Sequence, residues 1–466
     1  MVCRVARHDI RPRVACLLAL TAILSMSACP AFAGSASLLE LYDHATGSNP
    51  ELGAAQAGAR AARHGVVDAY VGFAPRVTGT YDKQRERQEV IRTDNPVYAP
   101  GKALFSNRIG YGEAILPIFD ARLFSQLRGA KAAENREGYL YNAAQQKIVY
   151  SLVEAYLLAL SAADSYNLSQ VEAKTLQSHE SEIRQKIKSE LSNAGDLDEV
   201  QARYGLARSR MVSAAAAVSE AFSAIERIAG YRPDSLMPLR GSIPVPRPVP
   251  SSSDEWVTAM LQSNPELLAA NETIEGAKAD FEKAVGNYVP RAELRATATK
   301  SDTGGSLYGG GSLTDDRLLT LRITVPLFNS TGQGFQFFAA KEREYQAQLT
   351  WDVRRREIIQ KVQTTFLEVV SNSERVKILA SATAAQERVA TGMRTKFQAG
   401  LTTITIVLDA EAQSYRAKRE FLAARYNYLL TMMQLKQLAG TISPGDIAFV
   451  NSLLDARQRP ITRIPL

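Results

Sequence analysis

The chain has 466 residues, 45% hydrophobic and 22% charged, too polar for a polytopic helical membrane protein. Its 55 Lys and Arg are interleaved with 48 Asp and Glu, so the formal net charge of +7 carries no nucleic-acid footprint. The three cysteines are Cys3, Cys16 and Cys29, which leaves everything after residue 29 without a disulfide framework, zinc ribbon or thiol nucleophile.

At the N-terminus, Arg4, Arg7, Arg11 and Arg13 precede an apolar run from Val14 to Leu24, and Ala31-Phe32-Ala33 supplies a small-x-small cleavage site. Residues 1–33 are expected to be a secretory signal peptide, because the run is too short to span a bilayer and its charges sit on the N-terminal side. The alternative is a loose lipoprotein signal over Met26-Ser27-Ala28-Cys29 with Cys29 acylated. Met is a poor residue three before such a cysteine, and the Ala-x-Ala site lies just downstream. Loss of the leader lowers the formal charge to about +4.

Proline placement divides the rest. There is none from Ile118 to Arg232, none from Leu327 to Ser443, and six between Pro233 and Pro250. The last stretch predicts a stiff, extended linker over 233–250, separating a first repeat (34–232) from a second (251–443), with a C-terminal tail over 444–466. The halves are duplicates: Ser48-Asn49-Pro50-Glu51-Leu52 returns as Ser263-Asn264-Pro265-Glu266-Leu267, Pro75-Arg76 as Pro290-Arg291, Leu116-Pro117-Ile118-Phe119-Asp120 as Val325-Pro326-Leu327-Phe328-Asn329, and Ile228-Ala229-Gly230 as Leu438-Ala439-Gly440.

Each half repeats one order of elements. Asn49 and Asn264 are N-cap candidates followed by proline at the first helical position, opening helices that stop before Pro75 and Pro290. Two strands follow, one clearly over Leu318 to Val325, with Leu319, Leu321, Ile323 and Val325 on one face; its mate, Ser106 to Leu116, alternates less cleanly through Gly110, Gly112 and Glu113. Surface loops are expected over 85–105 and 301–316, with Tyr81, Phe105 and Tyr111 as candidates for an interfacial aromatic girdle. The proline-free spans are long helices. Val362, Phe366, Val369, Ser373, Val376 and Ala380 step by four and three, as do Leu408, Ala412, Tyr415, Leu422, Tyr426, Leu429 and Met433 with one gap. Around Ile148 the apolar stripe widens, predicting neighbours on both sides. Gly195 and Gly400 fit helix C-caps before a reversal, and a helix from Asp120 to Asn193 would reach roughly 110 Å at 1.5 Å per residue.

Four strands of about ten residues cannot close a barrel, and an open edge is not tolerated in lipid, so a membrane location requires several subunits to share one barrel. The alternative is a soluble hairpin pair packed on helices. The combination of leader, tandem repeat, two hairpins and two very long helical hairpins resembles the TolC family of bacterial outer-membrane efflux and secretion channels. The similarity spans nearly the whole mature chain. It rests on Ser48-Asn49-Pro50-Glu51-Leu52, on the strand ends at Pro117 and Pro326, and on Gly400-Leu401-Thr402-Thr403-Ile404-Thr405-Ile406-Val407-Leu408-Asp409-Ala410, continued by Ala423-Ala424-Arg425-Tyr426-Asn427-Tyr428 and closed by Leu438-Ala439-Gly440.

The resemblance implies a mainly α chain with a membrane β-barrel: duplicated strand-strand-long-helix units, three copies of which form a twelve-stranded barrel in the outer membrane on a long periplasmic α-helical barrel. It implies as partners a homotrimer, a periplasmic adaptor, an inner-membrane ABC or proton-driven pump and outer-membrane lipid, with no nucleic acid, cofactor, metal or catalytic site. At the periplasmic entrance, Asp409 matches a ring aspartate that would focus negative potential on passing cations; its alternative is an aspartate favoured near a helix N-terminus. Ile406 stands where the best-known member has a second ring aspartate, Thr402 where it has a latch arginine, and Phe397 where it has a latch tyrosine. Asp198 matches a latch aspartate, or is a solvated N-terminal carboxylate. These departures predict a closed entrance that depends more on apolar contact and less on salt bridges. His44, His64 and His179 have no partner cluster that would suggest a metal or catalytic role. The expected function is export of substrates from a tripartite pump, leaning to type I secretion of a protein toxin. Multidrug efflux and a non-channel trimeric coiled-coil surface protein are the alternatives, and no acid, base or nucleophile constellation favours an enzyme.

Overall fold

The computed structural model describes residues 35–464 except 95, 98 and 328–332. The expected leader, the acylation alternative at Cys29 and the Phe328-Asn329 end of the second strand motif lie outside the described residues.

The first half runs α1 (Leu38–Ser48), α2 (Pro50–Val71), β1 (Arg76–Val90), β2 (Gly101–Phe119), α3 (Ala121–Lys188) and α4 (Ala194–Ala229). After a short β3 (Ser235–Leu236), the second half repeats the order as α5 (Ser253–Ser263), α6 (Pro265–Gly286), β4 (Arg291–Thr303), β5 (Ser312–Thr324), α7 (Gln333–Gln398) and α8 (Ile404–Leu438). α9 (Pro444–Ser452) and β6 (Ile461–Thr462) complete the chain. α3 has 68 residues, about 100 Å of helix. The periodicity leaves α1 and α5 unpredicted, because at 11 residues each they carry too few turns to show a stripe.

The repeated Ser-Asn-Pro motif is more than a cap. Asn49 Oδ1 accepts from Glu51 N (2.9 Å) and Leu52 N (3.2 Å) at the start of α2, while its Nδ2 donates to Ile228 O (2.9 Å) at the end of α4. In the second half Asn264 Oδ1 accepts from Leu267 N (2.9 Å) and Nδ2 donates to Leu438 O (2.8 Å). Helix starts leave N–H groups unsatisfied and helix ends leave carbonyls, and a primary amide is the one short side chain that serves both. Each Asn therefore butts two helices end to end, α4 against α2 and α8 against α6. The repeated Ile228-Ala229-Gly230 and Leu438-Ala439-Gly440 are the other halves of these joints. Asn264→Ala is expected to lower stability by about 1–2 kcal/mol, since it removes both a cap and a buried carbonyl's donor; an unchanged thermal unfolding curve would contradict the joint.

The two reversals differ. At Gly400, φ is +73° and Leu401 N donates to Lys396 O, a glycine C-cap. Gly195 does not cap α3. It is the second residue of α4, and the left-handed position after α3 is Glu190 (φ 58°). Asn193 and Asp196 form a capping box, and that signal fixes where α4 begins, leaving the reversal to the residues before it.

The long strands form one antiparallel sheet in the order β1-β2-β4-β5. They hold 15, 19, 13 and 13 residues, longer than expected, so the outer parts of the predicted loops 85–105 and 301–316, about half of each, are strand. Arg85, Glu86 and Arg87 pair with Ser106, Phe105 and Leu104, which satisfies their backbone whatever their side chains. Register sorts the side chains into two faces. One carries Val77, Tyr81, Gly110, Gly112, Ala114, Leu116, Ala292, Leu294, Ala296, Leu319, Leu321 and Ile323. The other carries Thr78, Tyr111, Glu113, Glu293, Arg295, Thr320 and Arg322, with Arg295 bound to Glu113 (2.7 Å) and Glu293 (3.1 Å). The uneven alternation of β2 is thus resolved: Gly110 and Gly112 lie on the apolar face and Glu113 on the polar one. The apolar face is the open one, with Leu319 69%, Leu321 59% and Ile323 65% exposed, while residues 293, 295, 297, 299 and 301 of the polar face are half-buried. Of the girdle candidates only Tyr81 shares the apolar face; Phe105 and Tyr111 are on the polar side. Among the described residues the outer edges of β1 and β5 have no strand partner.

The main core gathers the middle of α3 (Ile148 to Ala163), the end of α4, the middle of α7 and the end of α8 under α1, α5 and α9. The apolar stretch of α3 would pass as a membrane span by composition, but 56% of it is buried here. The Pro-rich segment is not a free spacer: Leu236, Leu239 and Ile243 are buried in this core, β3 pairs with β6, and Leu239 bridges Leu454. Proline holds that strip extended and so exposes its backbone to the C-terminal residues, which pack with it rather than trailing as a tail. In the seam of α7, Val362, Phe366, Val369, Ser373 and Val376 are buried, whereas Ala380 is exposed and Thr383 takes its place.

Candidate functional site

The tip where α3 turns into α4 and α7 into α8 holds a second, smaller core of Leu176, Ile183, Val200, Phe397, Ile404, Val407 and Leu408. Phe397 is buried there (8% exposed), with Lys186 Nζ 3.7 Å from its ring centre. Its aromatic ring therefore braces α7 against α3 instead of facing outward. Ile406 is 47% exposed and Thr402 half-buried. Asp198 is exposed and makes no ion pair with a described residue; its neighbour Glu199 turns inward instead.

Asp409 is joined to α4. Arg203 Nη2 donates to Asp409 Oδ1 (2.7 Å) and to Glu199 Oε1 (2.6 Å), and Thr405 Oγ1 donates to Glu199 Oε2 (2.7 Å). Burial pulls the Arg203 pKa down, but its bonds to Asp409 and Glu199 outweigh that and hold it above the ordinary value. Arg203 thus supplies an ion pair at the tip that positions 402 and 406 do not, beside the apolar core there. Sequence reasoning missed Arg203, although Glu199 and Arg203 stand four apart, the spacing of a helical ion pair.

Farther from the tip the seam between α3 and α8 carries a ladder of polar cross-links. Glu172 bridges Arg210 of α4 (2.7 Å) and Arg419 (2.9 Å), Thr175 meets Tyr415 (3.0 Å), and His179 Nε2 meets Glu411 (2.9 Å). His179, read as unpartnered, is a buried tie between the repeats. The rungs differ in strength. The Glu172 side chain is 6% exposed and held by two arginines, so removing both strands a buried charge, worth about 3–5 kcal/mol; Asp409 is 64% exposed, and its pair is worth under about 1 kcal/mol. The link nearest the tip is the weak one. His44 stacks on Tyr231, and among the described residues no group of His, Cys, Asp or Glu could hold a metal ion.

The outer membrane efflux protein family profile matches residues 41–231 and 256–441. The chain is 23% identical over 429 residues to the alkaline protease secretion protein AprF of Pseudomonas aeruginosa, covering 91% of this chain and 89% of that one. It is 22% identical over 458 residues to the outer membrane protein TolC of Escherichia coli, covering 95% and 89%. Among solved structures, the outer membrane protein VceC of Vibrio cholerae superposes with a TM-score of 0.73 at 16% identity, over 86% of this chain and 96% of that one.

Proposed function

The chain belongs to the outer membrane efflux protein family, and from that membership we propose that three copies close their sheets into one barrel and carry substrate from an inner-membrane pump, through a periplasmic adaptor, to the outside. It is an outer-membrane channel protein extending into the periplasm, and not an enzyme. The observation that carries the trimeric duct is the sheet: its apolar face is exposed, and β1 and β5 each end in an open edge. Unpaired edges and apolar side chains are both satisfied if β5 of one copy pairs with β1 of the next in lipid. Purified protein reconstituted in planar bilayers is expected to conduct ions as a trimer; absence of current from folded trimers would refute the duct and favour the coiled-coil surface protein.

Within this reading, the tip of α3, α4, α7 and α8 is the periplasmic entrance, with Asp409, Ile406 and Thr402 nearest the axis and the Arg203 bridge holding it shut. The boundaries 34–232 and 251–443 serve as the two repeats. Type I protein secretion is favoured over drug efflux by the similarity to AprF and to the proteases secretion protein PrtF of Dickeya chrysanthemi, 21% identical over 431 residues. Deletion of the chain from its host tests this: loss of a protein from the culture medium with unchanged drug tolerance is expected, and the converse would assign it to drug efflux.

A further inference from the structure

The two sheet faces differ beyond the apolar band, on the side away from the helices. Continuing the apolar face past Tyr81, Gly110, Ala298 and Leu319, the register brings up Lys83, Arg85 and Arg87 on β1, Arg108 on β2, Lys300 on β4 and Arg317 on β5. With Lys102, seven basic side chains meet three acidic ones, Glu89, Asp302 and Asp315, on this face. At the same heights the polar face carries Asp82, Glu86 and Asp316 and no basic residue.

The basic side is poorly compensated within the chain. Lys83 stands directly opposite Arg108, a like-charge pair that disfavours the sheet. Lys83, Arg85, Arg87 and Lys300 form no ion pair with a described residue, and the carboxylates near Arg108 and Arg317 are 3.6 and 3.5 Å away and exposed. Lys83 is two residues from Tyr81, or about 7 Å along the strand. A basic zone that begins where an exposed apolar band ends faces the headgroups of the lipid that the band contacts.

We propose that the outward face of the strands at Lys83, Arg85, Arg87, Arg108, Lys300 and Arg317 binds phosphorylated lipid headgroups of the outer leaflet. This rests on the reading that the sheet lies in lipid. Arg and Lys on adjacent strands can each take a phosphate oxygen, and an anion between Lys83 and Arg108 removes their repulsion. The acidic inner face keeps the same anions out of the lumen, so the two faces sort headgroup from passage.

The test uses full-length protein in detergent, titrated with an acylated disaccharide bearing two phosphates and, separately, with its dephosphorylated counterpart, with bound lipid counted by native mass spectrometry. The wild type is expected to retain the phosphorylated lipid at least about fivefold over the other. The combined Lys83→Gln, Arg108→Gln, Lys300→Gln and Arg317→Gln variant should bind both equally, Arg108→Gln alone should fall between, and Glu86→Gln on the opposite face should keep the preference. Equal retention of both lipids by the wild type overturns the headgroup site but leaves the sheet in lipid. An undiminished preference in both the combined and the Arg108→Gln variants overturns it too. Retention of neither lipid by folded protein overturns the membrane placement with it.

Discussion

Asp409→Ala is expected to abolish the cation preference of the reconstituted channel, and Arg203→Ala to strengthen it. The cluster of Arg203, Glu199 and Asp409 carries one net negative charge per protomer. Removing Asp409 leaves Arg203 neutralised by Glu199, whereas removing Arg203 leaves two carboxylates. A unit charge about 4 Å from an ion in water is worth about 1 kcal/mol, or roughly fivefold in permeability, and three copies act on one axis. Reversal potentials in a salt gradient should therefore rank Arg203→Ala above wild type above Asp409→Ala in cation preference. Arg203→Ala also breaks the weakest tie between α4 and α8 and is expected to raise single-channel conductance. Identical reversal potentials for all three proteins would place this cluster away from the constriction.

Gly440→Ala is expected to be the most damaging single methyl in the chain, and Gly230→Ala, its repeat mate, much milder. Both glycines have left-handed backbones, φ +72° and +64°, which cost a non-glycine residue about 1–2 kcal/mol. They differ in what a Cβ would meet. At Gly440 it would lie 2.3 Å from Ser263 O and 2.7 Å from Asn264 N, backbone that cannot turn aside; at Gly230 it would lie 2.5 Å from Ser48 Oγ, a side-chain hydroxyl that can swing away at the loss of its bonds to His44 O (2.8 Å) and Ala229 O (2.9 Å). Relief at Gly440 requires separating α8 from α6, which forfeits the Asn264 bond to Leu438 and adds about 1–2 kcal/mol. The total is about 2–4 kcal/mol against about 1–2 for Gly230→Ala. The heat at which the oligomer dissociates on a gel should fall further for Gly440→Ala; the reverse order would contradict the abutment.

Much of this was legible because the signals are short. Pro50 after Asn49 marks a helix start within two residues, and the spacing of Val362, Phe366 and Val369 marks a buried stripe within two turns. The failures have a common source. The charged arm Arg85-Glu86-Arg87 reads as loop because polar runs commonly mark irregular backbone, yet pairing with β2 satisfies that backbone and leaves the side chains free to meet headgroups or water. Gly195 reads as a cap because glycine commonly is one, yet Asn193 and Asp196 outcompete it. The basic face was invisible in a chain whose charges alternate: alternation along a strand is segregation across a sheet.

The duplicated order of elements, the helix starts and the long apolar seams are written locally in the chain, because caps, prolines and periodicity act over a few residues. Tertiary structure alone decided that Asn49 reaches Ile228, that Arg203 holds Asp409, and which face of each strand looks outward. Those contacts join positions 179 and 206 residues apart. Their selection depends on helix stacking and strand register, which are set by burying shared surface and satisfying helix ends and sheet edges, and no local pattern of residues encodes that choice.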